Sequence, residues 1–240
     1  MPLPAISLAQ GSLAATILLA AVGTYIGATP PNPDAEATHT IPASGDTVRS
    51  LLITNKRSIR LTLMAPLGLF SLHTVTLALL HPNIPPSILG YGAQNGLNPD
   101  RITWSAATAV PLALILCAGV PLRMVAYASL GTNFTFALKE PDRLTTTGIY
   151  RYVQHPSYTG LVILVISNVA LLGRMDGAIS CIVPPGWRDD LAALQWAVFP
   201  GFLFMVWKRT MQEESMMRAR FGAEWEGWHA RTARYIPWVF

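Results

Sequence analysis

The chain has 240 residues, of which 51% are hydrophobic and only 12% carry a charge, about half the charged share of a soluble domain. So few charges cannot cover the surface of a water-soluble globule of this length, and the composition points to the bilayer. The net charge of +4 does not point to nucleic acid, because no basic run with interleaved aromatic residues occurs.

Five apolar runs follow one another along the chain, and a spanning helix needs about 20 such residues. The first, Leu8–Ala28, has no Lys or Arg before Arg49. It therefore lacks the basic leader of a secretory signal and is expected to be retained as a span. The second run is Leu61–Leu80. The third, Trp104–Ala126, contains Pro111 and Pro121 and is expected to kink or break there. The fourth, Tyr158–Gly173, reaches spanning length only if its helix begins at Pro156 or continues past Gly173. The fifth is Leu191–Trp207. The expected fold is an all-α integral membrane protein of about five transmembrane helices. Residues 1–130 hold the first three helices, and 131–240 form the core that carries the chemistry.

Basic residues between the runs test this arrangement. Four from Arg49 to Arg60, three from Lys139 to Arg151 and six from Lys208 to Arg234 fall on one side, thirteen against Arg101, Arg174 and Arg188 on the other. Positive charge collects on the cytosolic side, so both polar segments Asn133–Ser157 and Lys208–Phe240 are expected to face the cytosol. Arg123 lies inside the third run, near its cytosolic end. Cys117 and Cys181 provide neither a disulfide framework nor metal-ligand spacing.

Two segments carry chemistry. In Thr145–Gly160, His155 precedes Pro156, and proline suits the first turn of a helix. The fourth span would then open at the membrane face with free N–H groups that can receive a polar or anionic part of a ligand. Tyr150 or Tyr158 offers a ring that can stack on an adenine or face a sulfonium, although tyrosine is also an ordinary interfacial residue. In Lys208–Gly222, Arg209 and Glu213 stand four apart and share a helix face. They supply a guanidinium for an anion and a carboxylate for a cation, or simply a surface ion pair. Beyond them Met217, Phe221, Trp225 and Trp228 form an apolar stripe that lies on the bilayer or packs over the site, with Gly222 as a candidate break.

The stretch Gly148-Ile-Tyr-Arg-Tyr-Val-Gln-His-Pro-Ser-Tyr-Thr-Gly160 resembles the His-Pro-x-Tyr-x-Gly signature of the isoprenylcysteine carboxyl methyltransferase family. The later residues resemble it too: Arg209-Thr-x-x-Glu213-Glu214, Phe221-Gly222, Arg231 and Ile236-Pro237. The resemblance covers roughly Asn133–Pro237. It implies an endoplasmic-reticulum membrane enzyme that methylates the C-terminal carboxylate of prenylated proteins with S-adenosylmethionine, its cytosolic cofactor pocket closed by the C-terminal segment. By position it implies cofactor contacts at Lys139, Leu144, Thr145, Tyr150, His155, Pro156, Ser157, Tyr158 and Glu213. It makes Arg209 the substrate-binding and catalytic residue. The family commonly has Arg-His-Pro where this chain has Gln154-His155-Pro156, so a positive charge is missing beside the motif, which bears on the acceptor. Expected partners are prenylated protein C-termini and membrane lipids; no nucleic acid and no metal is expected.

A prenylcysteine carboxylate is already ionised at neutral pH, so methyl transfer to it needs positioning rather than a strong base. A phospholipid amine is an alternative acceptor, and it would need a base, for which His155 is the obvious candidate. A nicotinamide-dependent sterol reductase shares a similar His-Pro-x-Tyr stretch but usually has many more spans. A non-catalytic lipid-binding protein of the same fold is a further alternative.

Overall fold

The computed structural model describes residues 6–29, 31–32, 64–134, 138 and 140–237. The basic cluster from Arg49 to Arg60 and the candidate Lys139 lie outside the described residues.

Helix α1, Leu8–Ala28, coincides with the first apolar run. Ser7 caps it reciprocally with Gln10, satisfying two N–H groups that a helix start leaves open. The Gln10 amide also donates to the carbonyls of Leu79 and His81. That ties the start of α1 to the end of α2, Ala65–Leu80, and makes the two helices antiparallel neighbours.

The third run forms α3, Ala106–Leu114, and α4, Val120–Leu130, joined by a π-helical turn over Ile115–Gly119. The expected break between Pro111 and Pro121 is therefore a widened turn within one continuous rod. Pro121 has no N–H for the Cys117 carbonyl, and Val120 immediately before it reaches back five residues to Ile115. A π-turn of this kind is how a helix absorbs a lost donor without unravelling.

Helix α5, Pro156–Leu172, begins at the proline, as the fourth run required. Its 17 residues span about 25 Å at the usual rise. Helix α6, Arg188–Phe221, is 34 residues long, about 51 Å, so its last turns extend well past a hydrocarbon layer of about 30 Å. Gly222, with φ of 51°, ends α6 in a backbone conformation suited to glycine, and α7, Ala223–His229, follows.

Among the described residues three helical stretches, Leu8–Ala28, Pro99–Asn133 and Pro185–Phe221, are long and apolar enough to cross a membrane, and α2 and α5 are shorter apolar helices. The chain is an all-α, multi-pass membrane protein. Leu13, Ile17, Val75, Leu112, Ile115 and Leu164 form the core where α1, α2, the third rod and α5 meet. Gly160 lets α5 pack closely against the third rod. A Cβ there would lie 3.0 Å from the Gly119 carbonyl and 3.1 Å from Arg123 and Leu122 side chains.

Because successive helices reverse direction, the connections collect at two ends. At one end, Asn95 donates to the carbonyls of Ser180 and Val183, while Arg101 and Arg174 both pair with Asp176. At the other end lie the last turns of α4, the start of α5 and the C-terminal turns of α6. Helix α6 joins the bundle through its ends. Gln195 donates to Gly173 near its start, and no residue of α6 before Arg209 is buried. The exposed Leu194, Trp196 and Phe204 present surface that suits acyl chains rather than water.

Candidate active site at the start of α5

The second end gathers three segments: the stretch before α5, the last turns of α6, and the chain after α7. A parallel bridge pairs Val153 with Ala233. Next to it, the N–H of Gln154 donates to Ala233 and that of His155 to Arg234. The Gln154 side chain is buried and continues the tie, donating to the Thr232 carbonyl at 2.9 Å and hydroxyl at 2.8 Å, while its oxygen meets His229. The missing arginine at this position is thus replaced by an amide that holds the tail. A guanidinium still reaches this neighbourhood, from Arg234.

His155 occupies the N-cap of α5. Its imidazole lies between two carboxylates that are consecutive in α6: Nε2 is 3.3 Å from Glu214 and Nδ1 is 3.7 Å from Glu213. Consecutive helical residues point about 100° apart, so the two acids serve different neighbours. Glu214 accepts from Arg234 through both oxygens, at 2.9 and 3.1 Å. Glu213 accepts from Arg209 Nε at 3.1 Å and from the Tyr158 hydroxyl. The expected Arg209–Glu213 pair forms, and Arg209 is buried, with only 5% of its surface exposed. It is more than an ordinary surface ion pair, because a buried guanidinium must keep its partners.

Below this layer Arg123 is buried inside the bundle. It donates to the Ser157 hydroxyl at 2.5 Å and to the Gly27 carbonyl at 2.7 Å, and its guanidinium stands 4.8 Å from the Tyr127 ring centre. An ionisable residue within a span marks a functional or anchoring position. Here it fixes the first turn of α5 against the end of α1.

The other candidates divide into two groups. Tyr158 and His155 stack at 5.7 Å between ring centres beside Arg209 and Glu213, so four candidates share one site. Ser157 and Pro156 are buried, with Ser157 turned to Arg123. Tyr150 is buried with Trp225 and Trp228, and Leu144, Met217 and Phe221 pack against the same cluster. The apolar stripe therefore packs over the segment before α5. Burial, then the Glu213 carboxylate, pushes the Tyr150 phenol well above its usual range, with Arg123 opposing. Thr145 is half-buried. The sequence reading did not single out Glu214, Arg234 or Arg123 for the site. Two of them had a signal: Arg123 as a charge within an apolar run, and Glu214 as the residue after Glu213 in the stretch that carries the resemblance.

Comparison with known proteins gives a family likeness for part of the chain. The model of the isoprenylcysteine carboxyl methyltransferase (ICMT) family matches residues 112–185, which include the start of α5. The chain is 38% identical over 131 residues to a protein-S-isoprenylcysteine O-methyltransferase of Dictyostelium discoideum, covering 53% of this chain and 48% of that protein. It is 26% identical over 125 residues to protein-S-isoprenylcysteine O-methyltransferase B of Arabidopsis thaliana, covering 50% and 55%. A relative of the same name in Schizosaccharomyces pombe is 27% identical over 128 residues, covering 52% and 47%. The chain spans about half the length of the curated relatives it matches. The family resemblance read from the sequence is borne out over this region.

Proposed function

We propose that this protein methylates the C-terminal carboxylate of prenylated cysteine, using S-adenosylmethionine, at the cytosolic face of the endoplasmic-reticulum membrane. The observation that carries the reading is the buried Arg209 beside Glu213, Tyr158 and His155, in a chain similar to methyltransferases of that name. In this reading residues 131–240 supply the chemistry, and the helices before them supply the membrane frame.

The residues present fit the methyl donor by their chemistry. Glu213 suits its amino or ribose groups, and the aromatic rings of Tyr150 and Tyr158 suit adenine or a cationic sulfur. The remaining cofactor contacts are Leu144, Thr145, His155, Pro156, Ser157 and Lys139. When bound, S-adenosylmethionine supplies an electrophilic methyl group, which passes to a carboxylate oxygen as the sulfur leaves as a neutral thioether.

The work left to the protein is binding and orientation. Arg209 holds the acceptor carboxylate with its planar fork, a geometry that lysine cannot reproduce. Glu213 and Tyr158 keep that fork from swinging. The acceptor's charge is lost as the ester forms, so Arg209 must orient the carboxylate without holding its charge too tightly. Trp225 and Trp228, packed on Tyr150, shut water out from the tail side. Exclusion of water and fixed approach are the main sources of acceleration in a displacement of this kind.

The test is transfer of radiolabelled methyl from S-adenosylmethionine to N-acetyl-S-farnesylcysteine in membranes containing the full chain, beside an Arg209→Ala variant. Base-labile label that vanishes in the variant supports a carboxyl methyl ester and the role of Arg209. Donor binding without transfer overturns the prenylcysteine acceptor, and phospholipid amines are then the next acceptors to assay.

A further inference from the structure

A cleft of about 460 Å³ opens between the Gly148–Arg151 turn, the end of α7 and the chain after it. That volume falls within the range of about 300–1,000 Å³ usual for small-ligand sites. Arg209, Glu213 and Tyr158 take no part in it. Its walls include Arg151, Tyr152, Gln154, His229, Arg231 and Arg234, and no carboxylate lines it.

The three arginines are not equivalent. Arg234 is engaged with Glu214. Arg231 donates its Nε to the Gly227 carbonyl at 2.7 Å, which fixes the plane of its guanidinium. Among the described residues neither Arg151 nor Arg231 pairs with a carboxylate. Two uncompensated guanidiniums face one cleft whose floor, Gln154, is fixed by the tail. Planar guanidinium forks match the oxygens of a phosphate, and a group carrying more than one negative charge answers both cations together. The cleft also lies close to the bilayer surface, because Arg151 stands five residues ahead of Pro156, where α5 begins. Phosphates of an anionic leaflet are abundant at that level.

We propose that this cleft is a binding site for a phosphate-bearing group, carried either by an anionic lipid headgroup or by a soluble molecule. The site is separate from the methyl-transfer site, and its occupant meets Arg234, the residue that clasps Glu214.

The experiment titrates inorganic pyrophosphate against the full-length protein in phosphatidylcholine nanodiscs, following binding by microscale thermophoresis. Saturable binding that weakens at least tenfold in the Arg151→Gln/Arg231→Gln double variant, and likewise in Arg151→Glu, is the expected result. Both side chains are exposed, and an unchanged unfolding midpoint in each variant verifies that the fold is intact. Repeating the titration in nanodiscs that also contain phosphatidylinositol 4-phosphate identifies the source. Weaker pyrophosphate binding there means that the headgroup occupies the cleft, and unchanged binding assigns it to a soluble phosphate. No saturable binding to the wild type, or equal binding to wild type and both variants, overturns the proposal.

Discussion

Arg234 and Glu214 meet side by side, Nε to Oε1 at 2.9 Å and Nη2 to Oε2 at 3.1 Å, across 20 residues of chain. The same carboxylate lies 3.3 Å from His155. One buried anion therefore joins α6, the tail and the start of α5, and Tyr235 adds a second link, its hydroxyl donating to Thr210 on α6 and its ring lying beside His155. Arg234 rises above the ordinary arginine range because the Glu214 carboxylate hydrogen-bonds it.

Replacing Glu214 with Gln keeps the shape and removes the charge that the Arg234 guanidinium requires. The expected cost is about 1–3 kcal/mol, the usual penalty for leaving a buried polar partner unsatisfied. Thermal unfolding in detergent measures it. The tail should also become a faster target for chymotrypsin at Tyr235, beside Arg234. Wild-type values in both assays would mean that the clasp contributes nothing.

Tyr158→Phe removes only the hydroxyl that donates to Glu213. The ring remains to stack with His155. Affinity for S-adenosylhomocysteine should fall by about tenfold, matching the loss of a hydrogen bond to a charged group at about 1.5 kcal/mol, as read by calorimetric titration. An unchanged affinity would remove Tyr158 from the proposed cofactor contacts.

Gly160 and Gly119 face each other where α5 meets the third rod, and they should differ in their tolerance of alanine. A Cβ at Gly160 meets the Gly119 carbonyl at 3.0 Å, which is backbone and cannot yield easily. A Cβ at Gly119 meets Leu164 Cδ2 at 2.8 Å, the end of a flexible side chain. Gly160→Ala should therefore cost more, about 1–3 kcal/mol for overpacking, and Gly119→Ala less. Unfolding midpoints of the two variants, taken under one set of conditions, give the order.

Tyr150 makes stability depend on pH on the alkaline side. Burial first, then Glu213, raises its phenol above the free value near 10. The unfolded chain therefore loses this proton at lower pH than the folded one. Its contribution is full below about pH 10 and declines as pH rises beyond it, by about 1.4 kcal/mol per pH unit. Tyr150→Phe should flatten the fall in unfolding free energy above pH 10, and an identical slope in wild type and variant would show that this phenol does not set it.

The helices were legible where apolar length or proline marked them. Leu8–Ala28 could be read to the residue because its run ends in polar residues on both sides, and α5 starts at Pro156 because proline tolerates only the first turn. Two prolines announced an irregularity in the third run but not its form, since a π-turn depends on which donor compensates. The Arg209–Glu213 pair lies on one helix and follows from spacing alone. Glu214–Arg234 and Gln154–Thr232 join segments far apart in the chain, and helical periodicity carries no information about such contacts. Arg123 was visible as a charge in an apolar run, but its partners Gly27 and Ser157 come from two other helices.

Gln154 and Thr232 are 78 residues apart, yet they belong to the same clasp. At a synthesis rate of about 5–20 residues per second, the second partner emerges about 4–16 s after the first. Two residues later Arg234 supplies the carbonyl for the His155 N–H and the guanidinium for Glu214. A chain halted before Thr232 therefore lacks the contacts that tie the tail to the start of α5.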